Sequence, residues 1–168
     1  FIERSLSAAL TNWGPEWGVR PQAREVFAVP ENHGREYYSQ PDNIIDYRGT
    51  AHLVVDAKYK RFTEATMESQ GGRPTNSDLY QMVAACVAHK APNALLVYPK
   101  LQNGVRGSYG SSWSATWWSV DVPGSSPVRI GAVTVDLAVL GGDRGLRRFD
   151  DGFRSMLMGL TGTDDEWL

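Results

Sequence analysis

Apolar positions recur along this chain at two different periods, and the changes of period mark its elements. Residues 1–10 place Ile2, Leu6, Ala9 and Leu10 at helical spacing, and Trp13-Gly14-Pro15 ends that run. Residues 20–29 read as one extended segment, with Val26, Ala28 and Val29 near its end, and Asn32-His33-Gly34 as a turn. Residues 41–47 read as a strand that starts at Pro41, where a missing N–H is tolerated. Arg48-Gly49-Thr50 then turns the chain into Leu53-Val54-Val55-Asp56-Ala57-Lys58-Tyr59-Lys60, which predicts an antiparallel hairpin.

Residues 64–76 are polar, carry Gly71-Gly72 and Pro74, and read as a loop. Ser77 or Asp78 is the expected cap of a helix with the apolar stripe Leu79, Met82, Val83, Cys86 and Val87. Its other side, Gln81, Ala84, Ala85 and Ala88, is small enough to let a second element approach, so burial on two sides is expected. A strand over residues 94–98 completes a β-α-β unit. Two more strands are expected near residues 113–122 and 128–135. A last helix is expected over residues 146–160, where Leu146, Phe149, Phe153, Leu157 and Leu160 share a stripe. This order predicts an α/β domain with a mixed central β-sheet flanked by helices.

Length adds that residues 1–168 fit a single domain able to bury a sizeable core. The chain begins with Phe1 rather than Met, and we read it as a C-terminal fragment of a longer polypeptide. No apolar run approaches the ~20 residues of a membrane span. Charges interrupt Phe1-Ile2-Glu3-Arg4, unlike a secretory signal. A single Cys, Cys86, excludes an internal disulfide and a Cys-built metal site and is compatible with a cytoplasmic setting. The formal net charge of −2 gives no sign of a polyanionic partner by itself, although Lys58, Lys60 and Arg61 cluster, as do Arg144, Arg147 and Arg148.

The candidate chemistry lies at one end of the hairpin. Side chains alternate across a strand, so Asp56 and Lys58 share a face while Leu53, Val55 and Ala57 share the other. Thirteen residues separate Asp42 from Asp56, enough for two short strands and a tight turn, and the hairpin brings both carboxylates to the same region. Paired carboxylates repel, and a divalent cation offsets that repulsion. Mg²⁺ takes one or two carboxylates plus waters and phosphate oxygens. An adjacent lysine can hold a water or neutralise charge on a phosphate. The plainer reading of an isolated Asp-x-Lys is a solvated ion pair. Asp46, on the same strand as Asp42, is the alternative ligand should the register differ.

Pro41-Asp42 followed by Asp56-Ala57-Lys58 resembles the signature of the PD-(D/E)XK nucleases. The fuller Asp56-Ala57-Lys58-Tyr59-Lys60, with Ser77-Asp78-Leu79-Tyr80-Gln81-Met82 downstream, resembles the nuclease domain of McrC, the endonuclease subunit of modification-dependent McrBC restriction systems. Phe1-Ile2-Glu3 is similar to that family's first helix. The likeness extends to about Pro99, and beyond it only the order of elements agrees.

The resemblance implies a PD-(D/E)XK restriction-endonuclease-like fold and a Mg²⁺-dependent DNA endonuclease, with Mn²⁺ as a substitute. It implies Asp42, Asp56 and the Ala57 carbonyl oxygen as metal ligands, Lys58 as the catalytic lysine, and Gln81 and Glu3 beside the site. It also implies double-stranded DNA as substrate in a restriction or phage-defence role. The implied partner is an McrB-like AAA+ GTPase on a separate chain, because no Gly-rich GK[ST] phosphate loop occurs here. Glu3 and Gln81 also have plain readings, as a helix N-terminal acid and as a partner for buried backbone groups.

Other features have a duller default. His33, His52 and His89 are scattered, and His52, although on the Asp56 face by parity, reads as hairpin surface. Trp113, Trp117 and Trp118 could stack on bases, but packing on the sheet is the default. The Arg144–Arg148 group reads as a solvated helix end. Two rival functions stand beside the leading one: a stand-alone DNA repair or processing nuclease on the same fold, and a non-catalytic binding module. Cleavage by the chain alone would favour the former, and a lack of metal binding the latter.

Overall fold

A computed structural model of the chain describes residues 6, 7, 10, 13–58, 74–100, 116–136, 147 and 151–156. Among these residues lie eight strands: β1 (Trp17–Pro21), β2 (Glu25–Ala28), β3 (Tyr37–Ser39), β4 (Asn43–Tyr47), β5 (Thr50–Ala57), β6 (Asn93–Lys100), β7 (Thr116–Val120) and β8 (Val128–Asp136). One long helix, α1 (Asn76–His89), separates β5 from β6. Six strands form a mixed sheet in the order β1-β4-β5-β6-β8-β7, and β2 pairs with β3 in a small separate sheet. The central β5, β6 and β8 run parallel, whereas the β1–β4, β4–β5 and β7–β8 pairs are antiparallel.

The hairpin forms as the sequence predicts. Arg48 (φ 50°) and Gly49 (φ 77°) are both left-handed, which defines the tight two-residue turn whose twist matches the strands it joins. Its register pairs Asn43 with Val55, which sets Asp42 beside Asp56 at the open end. The parallel β5–β6 pair needs a long crossover, and α1 supplies it. The cap of α1 is Thr75, not Ser77 or Asp78: the Thr75 hydroxyl accepts the Asp78 N–H at 3.2 Å. Asp78 therefore sits in the first turn, where its carboxylate accepts the Tyr98 hydroxyl.

Alternation along the strands feeds two core layers. Ile45, Leu53, Val55 and Leu95 pack on one face with Leu6, Leu10 and Phe153. Leu6 and Leu10 are helical and one turn apart, as the spacing predicts, and Phe153 belongs to the helical residues 151–156. Ile44, Val54, Leu96 and Tyr98 pack on the other face with Met82, Ala85 and Cys86 of α1. Each fully buried aliphatic side chain contributes about 1.5–3 kcal/mol. A one-residue slip of β5 would turn Val54 and Val55 to the wrong layers and carry Asp56 to the wrong face, so the apolar layers fix the polar site.

One expectation needs correction. Residues 20–29 are not one extended segment. The chain leaves the main sheet after Pro21 at Gln22 (φ 50°), and β2 then joins β3 in the small sheet against α1. Strand β3 and the start of β1 at Trp17 carry too little alternation to be seen in the sequence. The predicted 113–122 strand is β7, and Trp113 lies outside the described residues, as do most of the predicted 64–76 loop and the ends of the last helix.

Candidate active site

The two aspartates meet at the open end of the hairpin, on the α1 face. Asp42 Oδ2 accepts the Ala57 N–H at 2.8 Å, so the residue after Asp56 grips the carboxylate from the neighbouring strand. Asp56 is buried, and the negative charge of Asp42 acts on it directly. Its carboxyl is held above the usual carboxylate range. Burial is the main cause, and the hydrogen bond and charge of Lys58 oppose it.

Lys58 follows the end of β5, and its N–H donates to the Val97 carbonyl at 2.8 Å, which continues the parallel pairing past the last strand residue. Its ammonium lies 2.5 Å from Asp56 Oδ2 and donates to Gln81 Oε1 at 2.7 Å. Asp78 Oδ1 is 3.9 Å away. Lys58 thus has its head among three acceptors from two elements, with its side chain about 10% exposed. Gln81 is exposed, lies one turn beyond Asp78, and lines a cleft of about 120 Å³ together with Asp56, Met82 and Ala85 of α1. Phe27 of β2, Tyr38 of β3 and Pro41 line the same cleft. The small side of α1 is therefore what lets the β2–β3 sheet approach.

The structure thus brings Asp42, Asp56, Lys58 and Gln81 together. Ala57 takes part through its N–H, and Glu3 lies outside the described residues. The alternative ligand Asp46 is elsewhere: Arg20 engages both of its oxygens, Nε on Oδ2 and Nη2 on Oδ1 at 2.9 Å for the latter. His52 is on the other face from Asp56. A bulge shifts the register between Ile45 and Asp46, which breaks the parity count, and the imidazole stands edge-on to Trp17 at 5.8 Å. Trp117 packs over Gly131, where a Cβ would fall 2.5 Å from the ring, so its role is sheet packing. Arg147 is exposed, and Arg144 and Arg148 lie outside the described residues.

One buried neighbour of Lys58, Asp78, is not legible in the sequence as part of the site. Asp78 is 2% exposed and accepts a 3.1 Å hydrogen bond from the Tyr98 hydroxyl. Burial raises the Tyr98 phenol above its ordinary range, and Asp78 adds to the shift. The available signal was a helix with an acid in its first turn and a better cap, Thr75, upstream. Nor is Gln22: its backbone N–H and its side-chain amide both reach Asp42.

Among the described residues no three His, Cys, Asp or Glu side chains converge as a metal cluster, so the acidic set is Asp42 and Asp56. That set fits Mg²⁺, which is content with one or two carboxylates and keeps its waters. The repulsion of buried Asp56 by half-buried Asp42 is also one that a cation would relieve.

The mixed sheet with helices on its faces is a nuclease-like α/β fold. The family model described as McrBC 5-methylcytosine restriction system component matches residues 1–99. That is more than half of the 168 residues, and the chain belongs to this family, as the Asp56–Lys60 and Ser77–Met82 strings imply. No curated protein matches the sequence. A similar solved structure is a refined half-complex from a tetradecameric assembly of Thermococcus gammatolerans McrB AAA+ hexamers with bound McrC. Its TM-score is 0.57 at 17% identity, over 94% of this chain and 32% of that chain. The likeness shows a shared fold, and this chain spans about a third of its neighbour's length. No helix among the described residues is long and apolar enough to cross a membrane.

Proposed function

We propose that this chain is the Mg²⁺-dependent DNA endonuclease domain of an McrC-like restriction subunit, cutting double-stranded DNA with an McrB-like AAA+ GTPase on a separate chain. The observation that carries the reading is the meeting of Asp42 and Asp56 on one face, with the Lys58 ammonium 2.5 Å from Asp56. The partner is supported by the solved neighbour, in which McrC is bound to McrB hexamers. A restriction subunit of this kind works in the cytoplasm, where phage DNA enters.

Asp42 and Asp56 are the residues that would hold Mg²⁺ or Mn²⁺, with the Ala57 carbonyl as a third oxygen. The bound ion would supply Lewis acidity and a more acidic water. The chain's own work is positioning and charge. Lys58 presents an ammonium where a water must be aimed or where negative charge develops on the phosphate. Gln81 and Asp78 fix that ammonium from α1, so it need not reorganise when the reaction occurs. Tyr98 in turn holds Asp78. Cleavage of methylated duplex DNA in the presence of the motor, Mg²⁺ and GTP tests the reading. We expect it to stop when EDTA is added, and undiminished cleavage in EDTA refutes it.

A further inference from the structure

Left-handed backbone is disfavoured for a residue with a Cβ, and among the described residues three non-glycines adopt it: Gln22 (φ 50°), Arg48 (φ 50°) and Lys90 (φ 55°). Two have ordinary reasons. Arg48 begins the two-residue hairpin turn, and Lys90 ends α1 with its N–H on the Cys86 and Val87 carbonyls. Gln22 turns the chain out of the main sheet, a task glycine would perform without strain. What glutamine adds is its amide, and that amide points at a candidate metal ligand.

Gln22 holds Asp42 twice. Its backbone N–H donates to the Asp42 carbonyl at 2.9 Å, and its Nε2 donates to Asp42 Oδ1 at 3.2 Å. Its own Oε1 accepts from Gln40 Nε2 at 3.3 Å, which disfavours the flipped amide. With the Ala57 N–H on Oδ2, both oxygens of Asp42 are engaged while each keeps a lone pair outward. The Asp42 carboxylate is therefore oriented before any cation arrives.

We propose that Gln22, backed by Gln40, is a positioning residue that orients the Asp42 carboxylate for a divalent cation. The inference rests on the reading of Asp42 as a metal ligand. Partners of this kind around metal ligands are worth about 10–100-fold in metal affinity.

The test is Mn²⁺ binding to the 168-residue chain, by titration calorimetry or by the spin-resonance signal of free Mn²⁺, with melting curves alongside. Gln22→Gly keeps the backbone N–H, relieves the left-handed strain and removes the amide. Gln22→Met keeps length and strain and removes only the amide. Both should weaken Mn²⁺ binding roughly tenfold or more. The melting temperature of Gln22→Gly should be unchanged or higher. Weaker binding by a chain that is no less stable is something a merely structural residue would not give. Parent-like Mn²⁺ affinity in both variants, while Asp42→Asn loses it, overturns the inference and leaves the metal site standing. If Asp42→Asn itself binds Mn²⁺ as the parent does, or the parent binds none, the metal reading falls and takes this inference with it.

Discussion

The β4–β5 hairpin carries a carboxylate–cation pair at each end, and the two pairs are built differently. At the turn end, Asp46 meets the Arg20 guanidinium, whose fork engages both carboxylate oxygens. At the open end, Asp56 meets the Lys58 ammonium through a single oxygen, and that ammonium is shared with Gln81. A fork on a carboxylate closes the pair, because the planar guanidinium sets its own positive charge against both oxygens at once. An ammonium is a point charge, which engages one oxygen of Asp56 and is shared with an acceptor on α1. The same two charges thus make a structural clasp at one end and a candidate reaction centre at the other.

The largest expected effect falls at the open end. Asp56→Asn keeps the shape and removes the charge that would hold the metal, and Lys58→Ala removes the group that would meet the water or phosphate. Each should lower Mg²⁺-dependent DNA cleavage on the order of 10²-fold or more. Neither side chain fills an apolar layer, so the folded state should persist. The check is a cleavage assay with the motor present, paired with a melting curve. Cleavage near the parent's in either variant refutes the assigned chemistry, and lost cleavage with unfolding returns the pair to a structural role.

At the turn end the pattern should invert. Arg20→Ala leaves Asp46, 6% exposed, without its fork and should cost about 1–3 kcal/mol of stability. Cleavage per folded molecule should be retained. Arg20→Lys should recover only part of the stability, because one point charge cannot occupy both oxygens. Denaturant titration gives the first quantity and the assay above the second. A cleavage defect in Arg20→Ala without instability would break the contrast between the two ends.

The contrast was half legible in the sequence. Parity along Leu53-Val54-Val55-Asp56 and the Arg48-Gly49 turn are local signals, and they sufficed to bring Asp42 to Asp56 and to predict the β-α-β unit. The DLYQM string marked Gln81. Arg20 as the partner of Asp46 was not legible, because β1 joins β4 across 26 positions and β1 itself lacks a clean alternation. A serine or aspartate at a helix start usually caps it, which points to Ser77 or Asp78, whereas Thr75, three residues before Asp78, holds that role. The bulge that reversed His52 is a one-residue irregularity that no periodicity count can anticipate.

A smaller effect separates the two acceptors of the lysine. Gln81→Ala removes the 2.7 Å acceptor and leaves the Asp56 contact in place. Lys58 should then point less faithfully, and cleavage should fall by about tenfold or less, since the variant loses orientation rather than the reacting group. Because Gln81 is exposed, the melting temperature should not move. Gln81→Glu, which still accepts from the ammonium, should restore part of the rate. A loss as deep as that of Lys58→Ala would instead mean that Gln81 touches the substrate or metal shell itself.

The smallest effect is a slope in pH, and it distinguishes the open end most sharply from the closed one. Burial holds the Asp56 carboxyl above its unfolded value even with Lys58 beside it. Between the unfolded and folded pKa values the folded chain therefore binds more protons than the unfolded chain. Stability from this group is present at low pH and is lost as pH rises through that interval, reversing the usual pattern for a salt-bridged aspartate. Asp56→Asn cannot titrate, so in metal-free buffer its stability relative to the parent should improve as pH rises from about 4 toward neutrality. That change is separate from any constant offset caused by stripping Lys58 of a partner. Adding Mg²⁺ should narrow the difference by stabilising only the parent. Urea denaturation of both proteins at several pH values, with EDTA and then with Mg²⁺, measures it. A relative stability that falls with rising pH in EDTA would mean that the Lys58 charge outweighs burial, making the open end a clasp like Asp46 and Arg20.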